Sequence, residues 1–256
     1  MMKPLNFAWY DLMTSDTKAA AAFYKSVIGW DAKDASVGDN SYAIFSMGAA
    51  NVGGLMPIPD SARANGAPPC WTGYILVDDV DAYAARVSDA GGKILRGPVD
   101  IPGVLRLAVV ADPQGAVFML FKGMSGTPPA ELAPGAPGSI GWRELHAGDG
   151  AGAFAFYAKI FGWTKTAAFD MGALGIYQTF AAGGEAVGGM MTKAADAPTP
   201  FWLYYINVDG IEAAAARTTK AGGKICMDPH QVPTGQWIVL CTDPQGAWFA
   251  MLSTTR

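Results

Sequence analysis

Trp142, Glu144 and His146 stand at alternate positions of the stretch IGWRELHA. In an extended strand successive side chains point to opposite faces, so these three share one. An indole, a carboxylate and an imidazole side by side make a polar pair against an aromatic wall. A carboxylate beside an imidazole suits acid–base work, because such a neighbour tunes the imidazole around neutral pH. Glu144 and His146 are therefore the candidate catalytic residues. The chain's only other histidine is His230. Arriving from the loop ahead of the last strands, it would complete a Glu144, His146, His230 metal-ligand set. Asp11 occupies a matching context 133 residues before Glu144, WYDL against WREL. An acid in such an apolar strand is costly unless it is paired or functional, and Arg106 is its expected partner.

Aromatic walls suit planar or apolar ligands, and Trp9, Trp71, Trp142, Trp202 and Trp237 could supply one. The equivalence of Trp9 with Trp142 and of Trp71 with Trp202 argues mostly for core packing. Other motifs drop out. Gly91-Gly92-Lys93-Ile94 and Gly222-Gly223-Lys224-Ile225 lack the spacing of a phosphate-binding loop and read as helix ends. The chain contains neither G-x-S-x-G nor a G-x-G-x-x-G following a strand. Cys70, Cys226 and Cys241 make neither a disulfide framework nor a zinc knuckle, and they read as inert free thiols.

Composition narrows the classes further. The 256 residues are 51% hydrophobic with a formal charge of −4, which excludes a disordered chain. A sequence pI near 5.1 leaves no basic footprint for nucleic acid. No apolar run reaches the length of a membrane span, and MMKPLNFAWYDLMTSD lacks a signal-peptide core. A cytoplasmic protein with no membrane partner is expected.

The elements that must position these residues are set by an internal repeat. Trp9, Asp11-Leu12, Phe23-Tyr24 and Gly29-Trp30 recur as Trp142, Glu144-Leu145, Phe156-Tyr157 and Gly162-Trp163, all offset by 133. Trp71, Val77-Asp78, Ala90–Ile94 and Asp112–Ala116 recur at an offset of 131. Two copies of one domain are therefore fused: residues 1–122, a Pro/Gly-rich linker over 123–138, and residues 139–256. In the first copy the patterns predict a strand over 5–13 and a helix over 16–28, capped by Ser15 or Asp16 and stopped by Gly29. Strands are expected near 42–47, 52–56 and 71–77, a second helix over 78–90, and strands near 93–96, 105–110 and 116–121. Strands that cluster after each helix favour an α+β fold with mixed sheets.

Quoted as motifs, the repeat contains W-x-[DE]-L, then A-x-x-F-Y with a following G-W, then A-G-G-K, then D-P-Q-G-A-x-F, in both copies. This pattern resembles the vicinal oxygen chelate superfamily, which includes glyoxalase I, bleomycin-resistance proteins and extradiol dioxygenases. The resemblance implies two glyoxalase-like domains, each of two βαβββ units that form curled mixed sheets, half-open barrels with helices outside. It further implies a monomer built as a fused pseudo-dimer rather than an obligate oligomer.

In metal-dependent relatives the ligands come from the first strand of a unit and from strands facing it. Here the first-strand positions are Asp11 and Glu144. The other positions implied by the resemblance are Thr72 and Leu203, Met119 and Ala250, and the Gly-Gly-Leu-Met and Gly-Gly-Met-Met runs at 53–56 and 188–191. One carboxylate per set does not hold a divalent ion. No metal site and no cofactor are expected, with Asp11, Glu144, His146 and His230 as the only candidate ligands. The expected function is binding of a small apolar or aromatic molecule through Trp9, Asp11, Trp142, Arg143, Trp71, Trp202, Trp237 and Met119. The alternative is a glyoxalase-type lyase or related metal-assisted enzyme, in which Glu144 is the base, His146 assists, and Arg143 or a metal polarises a carbonyl.

Overall fold

The computed structural model describes residues 5–38, 41–124 and 130–256. The first copy contributes β1 (Phe7–Thr14), α1 (Thr17–Val27), β2 (Asp31–Asp34), β3 (Ala43–Met47), β4 (Ala50–Pro57), the short α2 (Asp60–Ala64), β5 (Cys70–Leu76), α3 (Val80–Asp89), β6 (Lys93–Ile101), β7 (Leu105–Ala111) and β8 (Val117–Gly123). The second contributes β9 (Ile140–Ala147), α4 (Gly150–Phe161), β10 (Thr164–Asp170), β11 (Ile176–Ala181), β12 (Ala186–Thr192), β13 (Phe201–Asn207), α5 (Ile211–Lys220), β14 (Lys224–Gln231), β15 (Trp237–Thr242) and β16 (Trp248–Ser253).

Local sequence sets these boundaries. Asp16 accepts a hydrogen bond from the Ala19 backbone N–H (2.9 Å) and starts α1; Asp79 does the same for α3 through Ala82 (3.0 Å). Helix α4 ends where Gly162 turns into the left-handed region at φ 68°. Two strand predictions need correction. The segment after α1 forms the additional strand β2, whose four residues, DAKD, are all exposed and show no apolar alternation. Strand β6 runs on to Ile101, through Pro98, which is tolerated because β6 is the last strand of its sheet.

Each copy forms one mixed eight-stranded sheet, in the order β2-β3-β4-β1-β5-β8-β7-β6 and, for the second copy, β10-β11-β12-β9-β13-β16-β15-β14. Within each sheet β1 and β4, and likewise β9 and β12, run parallel, placing Asp11 opposite Gly54 and Glu144 opposite Gly189.

The compact units do not coincide with the copies. One unit takes the N-terminal segment through Trp9, the segment from Thr72 toward the linker, and Trp142–Leu203. The other takes Tyr10–Trp71, the end of the linker up to Gly141, and Tyr204–Arg256. Each unit thus combines half of one copy with the complementary half of the other. Residues 125–129 of the expected linker lie outside the described residues; farther on, the Gly138 carbonyl accepts from Trp30 Nε1 (3.0 Å).

Each unit has an aromatic core. In the first, Tyr157 stacks on Trp163 (5.3 Å between centroids) and meets Trp202 edge-on, beside Phe118, Phe161 and Phe180. In the second, Tyr24 stacks on Trp30 and meets Phe45, Trp71 and Phe249. A Trp–Tyr–Asp chain runs through each core. Trp202 donates to Tyr157 Oη (3.1 Å), which donates to Asp112 (3.3 Å). Trp71 donates to Tyr24 Oη (2.8 Å), which donates to Asp243 (3.3 Å).

Candidate functional site

Strand β9 delivers Trp142, Glu144 and His146, and β11 and β13 bring Tyr177 and Phe201 to them, all within one unit. Trp142 Nε1–H donates to Tyr177 Oη (2.7 Å), and Tyr177 O–H donates to Glu144 Oε2 (2.8 Å). An indole nitrogen is a donor only, so its bond to the phenol oxygen sends the phenol proton toward the carboxylate. His146 Nε2 lies 2.8 Å from Glu144 Oε1, obliquely to the axis of a ring N–H, and this nitrogen is buried. The imidazole stacks face-on against Phe201, with centroids 4.6 Å apart and planes inclined by 5°. Glu144 is 8% exposed. Burial, with the Glu144 charge second, pushes the Tyr177 phenol well above its ordinary range, so the phenol keeps its proton. Trp142, Tyr177 and Phe201 thus frame the Glu144–His146 pair.

The other unit has a simpler version. Tyr42 O–H donates to Asp11 Oδ1 (2.8 Å), and Asp11 is buried at 2% exposure. Arg106 does not pair with Asp11: its guanidinium is clamped by two exposed acids, Asp81 of α3 (2.7 Å) and Asp100 of β6 (2.8 Å). At the position corresponding to His146 the first copy has Met13.

The remaining candidates separate by environment. Trp71 and Trp202 are buried and bonded to tyrosines of the aromatic cores, as above. Trp9 packs against a buried cluster of Tyr74, Leu107, Met119 and Phe121, which also accounts for Met119. Trp237 lies under the Arg256 guanidinium, 5.1 Å from the ring centroid. Arg143 alternates to the face of β9 opposite Glu144. His230 sits on strand β14 rather than in a loop, in the other unit, with Nδ1 3.0 Å from the Asp228 carbonyl. Sequence reasoning missed Tyr42, Tyr177 and Phe201. A signal existed for the tyrosines: Y-x-x-F occurs in both copies, Tyr42 to Phe45 and Tyr177 to Phe180, offset by 135.

Mixed eight-stranded sheets, a doubled strand–helix–strand unit and a first-strand acid in each copy define the class. The chain belongs to the Glyoxalase/Bleomycin resistance protein/Dioxygenase superfamily, whose family model matches residues 6–120 and again 139–251. It is 33% identical over 251 residues to "Putative glyoxylase CFP32" of Mycobacterium tuberculosis, covering 95% of this chain and 93% of that protein. It is also 33% identical over 259 residues to the anthracycline biosynthesis protein DnrV of Streptomyces peucetius, covering 96% and 92%. Among solved structures, the Mn(II)-bound glyoxalase of Novosphingobium aromaticivorans superposes with a TM-score of 0.67 at 18% identity, over 98% of this chain and 81% of that one.

A Mn(II)-bound structural neighbour raises the question of a cation here. Among the described residues, no group of three or more His, Cys, Asp or Glu side chains converges on one point. Glu144 and His146 are two donors from a single strand, and Tyr177 is hydrogen-bonded to Glu144. A divalent cation needs three or more donors around it, so this set does not fit one. Among the described residues, no helix is long and apolar enough to cross a membrane.

Proposed function

We propose that the protein binds a small apolar or aromatic molecule, and that the Trp142, Tyr177, Glu144, His146 and Phe201 cluster is the polar end of the site. The observation that carries this reading is the hydrogen-bond chain from Trp142 through Tyr177 to Glu144, set among aromatic faces. Apolar sites with a few convergent polar groups orient planar ligands, with stacking supplying area and the polar end supplying register. A relative covering nearly the whole chain carries the name of an anthracycline biosynthesis protein, which supports an aromatic ligand class. The incomplete donor set favours binding without a metal. We expect a cytoplasmic, monomeric pseudo-dimer with no nucleic-acid or membrane partner.

The test is a titration with a panel of planar aromatic compounds, including 1,2-dihydroxyanthraquinone and its unhydroxylated parent, followed by tryptophan fluorescence. Saturable quenching is expected, at least tenfold weaker in Glu144→Gln, since a charged hydrogen-bond acceptor contributes about 1.5–3 kcal/mol. Absence of saturable binding across the panel, or equal affinity in Glu144→Gln, would sink the proposal.

A second reading rests on the 2.8 Å approach of His146 Nε2 to Glu144 Oε1. In a glyoxalase-type lyase, Glu144 would take the proton from the hydroxyl-bearing carbon of a thiol–methylglyoxal adduct and return it to the neighbouring carbon, while the hydroxyl proton passes, with His146 assisting, to the former ketone oxygen. The proton count balances without an oxidant. Thioester formation from methylglyoxal and thiol that is lost in Glu144→Gln would favour this reading over simple binding.

A further inference from the structure

The acid–tyrosine pair occurs twice, and the details of its two versions differ. Tyr42 reaches an aspartate, Asp11, whereas Tyr177 reaches the longer Glu144, yet both hydrogen bonds are 2.8 Å. The two acids are offset by 133 residues and the two tyrosines by 135, so the pair has survived both a change of side-chain length and a two-residue shift in the connecting chain. In each case the neighbouring strand presents a glycine directly opposite the acid, Gly54 to Asp11 and Gly189 to Glu144. A Cβ on Gly54 would overlap Tyr42 Oη and Asp11 Oδ1; one on Gly189 would overlap the Tyr177 ring and its hydroxyl. Any other residue at either glycine would force the acid–tyrosine pair to shift.

We propose that Tyr42 and Tyr177 cap the first-strand carboxylates and take there the place a cation would need, with Gly54 and Gly189 as the residues that make room. A phenol that donates its proton stabilises the carboxylate without bringing a positive charge. In the Glu144 pair the phenol oxygen is itself held by the Trp142 N–H, so the cap is fixed in direction as well as position. A cation on the Oε2 lone pair that Tyr177 occupies has to displace that hydrogen bond. Chemistry or binding at these carboxylates is therefore organised by hydroxyls. This inference does not rest on the identity of the ligand.

The test uses Mn²⁺ alone, titrated into the full chain and followed by the loss of the free-ion EPR signal. The wild type is expected to bind no Mn²⁺ at equimolar, micromolar concentrations. Tyr177→Phe, which leaves the ring in place and exposes Glu144 Oε2, should raise the Mn²⁺ association constant at least tenfold while leaving binding in the weak, millimolar range of a site short of three protein donors, and Tyr42→Phe should do the same at Asp11. The two variants stand as independent trials should one of them fold poorly, which circular dichroism would reveal. Stoichiometric binding by the wild type would overturn the proposal. So would an unchanged association constant in the folded Tyr→Phe variants, because the hydroxyl would then not be what keeps the cation out.

Discussion

Asp112 and Asp243 show how far a single carboxyl depends on its surroundings. Each begins a D-P-Q-G-A turn, and each accepts backbone N–H bonds two and four residues on: Gln114 and Ala116, or Gln245 and Ala247. Burial nevertheless outweighs those donors and pushes both carboxyls above the usual range. A carboxyl raised in the folded state favours folding most when protonated. Its contribution is complete below an unfolded value of about 3.9 and is lost as pH rises through the raised folded value. Asparagine does not titrate, so the melting temperature of the wild type relative to Asp112→Asn or Asp243→Asn should fall as pH rises from about 4 toward neutrality. Melting curves across that range check the sign; a relative melting temperature that rises with pH would show the carboxyls to be lowered instead. Arg106 makes the opposite point. Its two acids are exposed, and removing either should change the melting temperature little, since such surface pairs contribute about 0–1 kcal/mol.

At the scale of elements, the parallel pairs β1–β4 and β9–β12 determine whether the acids meet their tyrosines. Gly189→Ala and Gly54→Ala insert one methyl into occupied space, and overpacking of this kind costs about 1–3 kcal/mol. In a chain of this size each kcal/mol lowers the melting temperature by about 2–4 °C. Thermal denaturation should show that loss, and in a Tyr177→Ala background, where the space is open, the same Gly189→Ala change should cost less. The Trp–Tyr–Asp chains are the second element-scale device. Trp202→Phe and Trp71→Phe keep most of the ring but remove the donor to Tyr157 or Tyr24, a loss of about 1 kcal/mol each. Most elements were legible beforehand because caps and apolar periodicity are local: Asp16 and Gly29 each act within a few residues of α1. Strand β2 was not legible, because its register comes from pairing with β3 and its own four residues are all polar or small.

For the whole molecule, the decisive fact is that each compact unit draws on both copies. Tyr24 of the first copy reaches Asp243 of the second, and Tyr157 of the second reaches Asp112 of the first. A copy expressed alone therefore holds half of each aromatic core. Residues 1–122 alone are expected to associate into dimers or to lack a cooperative thermal transition, measured by light scattering and calorimetry. A stable, cooperatively melting monomer of that segment would contradict the division into units. Cleavage within the linker, by contrast, should leave the two copies associated through gel filtration, because the cores hold segments from both sides of the cut.

The repeat, the helix caps, the glyoxalase-like class and the facing of Trp142, Glu144 and His146 were determined by the amino-acid sequence, since each depends on neighbours close along the chain or on comparison of two copies within it. The partners of the acids were decided only in three dimensions. Asp11 could as well have met Arg106, and nothing near Glu144 announces Tyr177, 33 residues away. Which hydroxyl reaches which carboxylate depends on strand pairing across a sheet and on the room left by a glycine opposite. Both are properties of the packed chain, where a contact between distant residues is set by the shape of everything between them.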